Sequence, residues 1–132
     1  MRLTADTNVL ARALTGDDEK QAATARKILA EAESVALTLP ALCELVWVLS
    51  VSYRIPPAEI ATSLRGLLAS ETVVVSRPAA EAGLRILAAG GDFVDGVIAH
   101  EGRRLGAEIF VSFDKKAVQL LTAAGEKTEL LA

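Results

Sequence analysis

Two hydrophobic rhythms alternate along the chain. Short runs with β-branched or alternating apolar character fall at residues 2–5 (RLTA), 35–39 (VALTL), 72–75 (TVVV), 109–112 (IFVS) and, more weakly, 127–130 (KTEL). They predict five strands. Between them apolar residues recur every three or four positions. Residues 20–33 place Ala22, Ala25, Ile28, Leu29 and Ala32 on one face, and residues 58–68 do the same with Ile60, Ala61, Leu64, Leu67 and Leu68. Both stretches predict one-sided helices. Pro40, Pro57 and Pro78 stand where helical runs begin, a position that tolerates a missing N–H, and residues 17–19 (DDE) supply capping acids. Strands alternating with helices, without a hairpin signal, predict an α/β fold: a parallel sheet with helices on both faces, a three-layer α/β/α arrangement. No internal repeat is present.

Composition narrows the class. A chain of 132 residues with 52% hydrophobic and 23% charged residues is expected to form a single domain, 1–132, with its own core. The single Cys43 excludes an internal disulfide and a cysteine-built zinc site. Met1 leads directly into a strand-like run, and Glu44 and Arg54 bracket the longest apolar stretch, so no membrane span is expected and a cytoplasmic location is. The net charge of −3 requires any nucleic-acid contact to come from a local basic patch.

Acids carry the candidate chemistry. Asp6 follows the first strand in LTADTNVL, with Thr7 and Asn8 opening the next helix, and Asp114 follows the fourth strand in VSFDKKAV. Asp92 and Asp95 stand three apart at the start of a helix, in GGDFVDGVIAH. Glu44 interrupts the otherwise apolar LPALCELVWVLSV, where an inward carboxylate without a partner is costly. Parallel strands bring such positions to the carboxyl edge of the sheet, so the five acids are expected to converge on one rim and be neutralised by a hard cation, Mg²⁺ or Mn²⁺. Each acid also has a plainer reading. Asp92 and Asp114 suit helix N-caps, Asp6 an Asx turn, and Glu44 a solvated helix face. His100, Ser112 and Cys43 lack partners for nucleophilic or histidine catalysis and read as structural. Arg103, Arg104, Lys115 and Lys116 flank the acids and are candidates for holding phosphates, though such pairs also form ordinary solvated faces. Trp47 reads as a core or interface residue.

Taken in order, ADTNVL with Asp6 and Asn8, LPALCELVWVL with Glu44, and DFVDGVIAHEGRRLGAEIFVSFD with Asp92, Asp95 and Asp114 resemble the PIN-domain family, and within it the VapC-type toxin ribonucleases. The resemblance spans essentially the whole chain. Gly96 and His100 stand where such proteins more commonly carry alanine. The resemblance implies a five-stranded parallel sheet of order 3-2-1-4-5, Mg²⁺- or Mn²⁺-dependent endoribonuclease activity on single-stranded RNA, and inhibition by a cognate antitoxin. Asp6, Glu44, Asp95 and Asp114 are then the catalytic metal-holding acids, with Asp92 beside them. Thr7 or Asn8 would hydrogen-bond a carboxylate or phosphate.

Residues 41–53 carry apolar side chains all round the helix, a surplus that predicts burial of Trp47 or Tyr53 in a homodimer or under an antitoxin segment, the plainer alternative being cover by the preceding and following helices. Two other classes compete. A Mg²⁺-binding phosphoacceptor signalling domain needs an acceptor Asp after strand three, which VVVSRP lacks. A non-catalytic interaction domain needs no metal.

Overall fold

The computed structural model describes residues Met1–Ala132, and the chain divides into two compact units, Met1–Ser76 and Arg77–Ala132. In the first unit, β1 (Arg2–Thr4), β2 (Ser34–Ala36) and β3 (Val73–Val74) form a parallel sheet with β2 in the middle. Four helices join them: α1 (Thr7–Thr15), α2 (Glu19–Glu31), α3 (Leu39–Trp47) and α4 (Pro57–Leu68). The turns are set by local chemistry. Asp18 caps α2 through the Gln21 amide, Thr38 caps α3 through the Ala41 amide, and Gly16 at φ 67° closes α1 in the left-handed conformation that a side chain disfavours. Leu10, Leu42, Leu45, Leu49, Ile60 and Leu64 are buried, following the apolar stripes of their helices.

A π-helical turn, Val48–Ser52, prolongs α3. The Tyr53 amide donates five residues back to the Val48 carbonyl, and Arg54 at φ 55° ends the helix. The Tyr53 hydroxyl then donates to Asp17 at 2.8 Å and accepts from Arg12 at 2.7 Å, and Arg12 pairs with Asp17 at 3.2 Å. This polar knot ties the α1–α2 turn to the end of the π-helical segment.

The second unit holds α5 (Arg77–Ala88), α6 (Phe93–Arg104), β4 (Phe110–Ser112), α7 (Lys115–Ala123) and β5 (Thr128–Leu130). β4 and β5 pair in parallel, and Ile86, Ala99 and Leu121 form a core cluster with Phe110, Leu120 and Ala124 packed on it. α5 and α6 cross closely. A Cβ on Gly83 would lie 2.7 Å from the Phe93 ring, and one on Gly96 would collide with the Ala82 carbonyl.

Every strand pair is parallel, as the alternation predicts, and the strands make two ladders, β1-β2-β3 in the first unit and β4-β5 in the second, which match the implied order within each unit, 3-2-1 and 4-5. The strands are also shorter than their sequence runs. Thr38 turns into the cap of α3, which removes the end of the second run, and only two or three residues of each run pair. No helix is long and apolar enough to cross a membrane.

Candidate active site

In the first unit, Asp6 and Glu44 line one open cleft of about 370 Å³ together with Thr4, Thr7, Thr38 and Pro40. Asp6 emerges directly beyond β1 and caps α1, its Oδ1 accepting the Thr7 amide at 2.7 Å. Thr7 is the one buried polar side chain, and its hydroxyl donates to the Ala41 carbonyl at 3.4 Å. Thr7 therefore joins the start of α1 to α3, its amide on the Asp6 carboxylate and its hydroxyl on the helix that carries Glu44. Asn8 is exposed beside it. Glu44 is also exposed: the desolvation cost expected from its apolar neighbours does not arise, because Leu42, Leu45 and Val46 turn inward while Glu44 turns out.

The second unit supplies the other acids. Asp92 caps α6 through the Val94 amide at 2.9 Å, and Asp114 caps α7 through the Ala117 amide at 3.1 Å. The plainer readings of Asp6, Asp92 and Asp114 as helix caps are thus realised, yet each cap uses only Oδ1. Ser112, which sequence reasoning assigned to packing, orders the turn before α7 by accepting the Asp114 amide at 2.9 Å. Asp95 lies in the first turn of α6, half-buried. Burial, and then the negative charges of Asp92 and Asp114, push its carboxyl above the usual aspartate range. Asp95 therefore feels both neighbouring acids.

None of the five carboxylates is held in an ion pair. The donor set of carboxylate and hydroxyl oxygens, without thiolate or imidazole, suits a hard divalent cation. In neither unit do three acidic, cysteine or histidine side chains stand together as a ready metal cage. Mg²⁺ is characteristically held by one or two carboxylates plus water and phosphate oxygens, so a two-acid cleft remains a fitting donor set.

The basic residues divide. Arg103 and Arg104 lie in the last turn of α6, the opposite end from Asp95, and are taken up by Glu126 at 3.0 Å and Glu101 at 2.9 Å. They do not flank Asp92 or Asp95. Lys115 and Lys116 open α7 directly after Asp114, exposed and in no ion pair.

Residues 4–121 match the PIN domain family. The chain belongs to it. Proteins of this family are typically nucleases dependent on Mg²⁺ or Mn²⁺, so Asp6, Glu44, Asp92, Asp95 and Asp114 lie in a PIN domain whose matched span contains every one of them. No curated protein matches the chain. Thr4 and Thr38, which the sequence reading of this PIN domain passed over, line the Asp6–Glu44 cleft; a Thr directly before Leu-Pro at a helix start was the available signal.

Proposed function

We propose that this PIN domain is a divalent-metal-dependent endoribonuclease that hydrolyses phosphodiester bonds in single-stranded or loop RNA. We further propose that it is the toxin of a toxin–antitoxin pair. The observation that carries the nuclease reading is a set of carboxylates without cationic partners, one of which, Asp95, is pushed up by burial and by the charges of Asp92 and Asp114. Carboxylates left without a cationic partner inside the protein suit a divalent ion as their neutralising partner. The toxin reading rests on the VapC-like order of ADTNVL, the Glu44 helix and the DFVDG segment.

Asp6 and Glu44 in the first unit, and Asp95 and Asp114 with Asp92 in the second, would be the donors for Mg²⁺ or Mn²⁺, which supplies Lewis-acid polarisation of the phosphate and lowers the pKa of a water. The protein's own groups do the positioning. Thr7, fixed by the Ala41 carbonyl, keeps Asp6 and Glu44 on one cleft. Lys115 and Lys116 would bind phosphates flanking the scissile bond, and Asn8 would hydrogen-bond a phosphate oxygen. The proposed partners are an RNA substrate, a cognate antitoxin and a second copy of the chain.

End-labelled single-stranded RNA incubated with the purified protein should yield shorter products in Mn²⁺ or Mg²⁺ and none in EDTA. Duplex RNA should resist. Intact RNA in both ions would refute the nuclease reading. Failure to co-purify with the small protein encoded beside it would refute the toxin reading alone.

A further inference from the structure

α3 and its π-helical extension present an exposed stripe of Pro40, Glu44, Trp47 and Val51, spaced four, three and four residues apart, with Ser50 and Ser52 exposed beside its end. Its first two members line the cleft of Asp6. Trp47 stands one turn farther along the same face, about 4.5 Å up the axis from Glu44. Its indole is 58% exposed, so it is neither a core residue nor covered by the neighbouring helices. Tyr53, the other aromatic of this segment, is occupied by Asp17 and Arg12.

Two features bear on what this indole can meet. Residues 39–52 contain no Lys or Arg, and Glu44 is their only charge, so this helix has nothing with which to hold a phosphate. What it offers a strand entering the cleft is an uncharged aromatic face, and every base has a matching one. The patch is also small. Trp47 and Val51 are the only large apolar side chains exposed on this segment, and an aromatic side chain contributes roughly 150–250 Å², well short of the roughly 800 Å² per partner of a stable protein interface.

We propose that Trp47 is the stacking platform for one base of a single-stranded RNA presented to the Asp6–Glu44 cleft, a specificity-determining residue that selects unpaired over duplex RNA. The inference rests on the nuclease reading. A base inside a duplex has both faces covered by its neighbours, so only an unpaired nucleotide can lie on the indole.

Trp47 is the only tryptophan in the chain, so intrinsic fluorescence reports on it alone. With Ca²⁺ replacing Mg²⁺ and Mn²⁺, to neutralise the acids while slowing cleavage, titration of the full-length protein with a single-stranded RNA oligonucleotide should quench the emission to saturation, and a duplex of the same sequence should leave it unchanged. Anisotropy of fluorescently labelled RNA should show Trp47→Phe binding within a few-fold of wild type and Trp47→Ala and Trp47→Leu each about ten-fold or more weaker. Leu keeps the apolar surface without the aromatic face, so affinity retained in Trp47→Leu would overturn stacking. So would RNA binding without quenching, or emission that changes with protein concentration in step with a dimer mass in light scattering. Cleavage that persists with any of these results would remove this inference and leave the nuclease reading standing; absence of both RNA binding and cleavage would remove both.

Discussion

Asp95 and Asp17 are displaced in opposite directions, and their signs give separate predictions. The Asp95 carboxyl is raised above the ordinary 3.8 by burial and by its acidic neighbours, so ionising it opposes folding. Its penalty is absent below pH 3.8, grows as pH rises through the raised value, and is complete above it. Asp95→Asn should therefore raise the melting temperature of the metal-free protein at neutral pH, and the gain should vanish at pH 3. Asp17 is the reverse case. The Tyr53 hydrogen bond, with those of Thr15 and Arg12, holds its carboxyl below 3.8, so its contribution is present above that value and is lost as pH falls through the lowered one. Tyr53→Phe should lower the melting temperature at pH 7, with the difference from wild type shrinking at pH 3, and should leave cleavage intact. Glu44 shows where residue-level reading falls short. Its run is apolar, but one polar residue per helical turn suffices to mark an outward face, and periodicity alone does not say whether an acid there meets solvent or a site.

At the scale of elements, the helices were largely legible because their starts carry chemistry: Asp6, Asp18, Thr38, Asp92 and Asp114 each accept a backbone amide at an N-terminus. The strands were legible in position and in parallel direction. Their extent was not, since pairing of two or three residues is decided by partners distant in sequence. The π-helical turn left no signal, and the ion pairs that occupy Arg103 and Arg104 depend on Glu126 and Glu101 being brought within reach, which a charge pattern does not reveal. The Gly83–Gly96 crossing joins element packing to the site, since Gly96 adjoins Asp95 and admits no Cβ without collision with the Ala82 carbonyl. Gly96→Ala should cost about 1–3 kcal/mol through overpacking, read from the denaturant midpoint. Cleavage should fall as well, because α6 must shift to make room. An unchanged midpoint would mean that the two helices yield freely.

For the molecule as a whole, the family match over residues 4–121 bears out the resemblance to the PIN-domain family, which was legible because several short motifs occur in one chain in one order. The net charge of −3 gives no general attraction for RNA, so binding has to be local and helped by the cation. A divalent ion that binds the folded acids and not the unfolded chain should stabilise the protein, by about 2.7 kcal/mol at a hundred times its dissociation constant. Mn²⁺ should accordingly raise the melting temperature of wild type and raise it less in Asp6→Asn and Asp95→Asn. The most direct test takes one acid from each compact unit: cleavage of single-stranded RNA in Mn²⁺ by wild type, Asp6→Asn and Asp95→Asn, each confirmed folded by its thermal transition. Loss of nearly all cleavage in both variants, with wild type active, is the predicted result, and wild-type cleavage by either variant would contradict it.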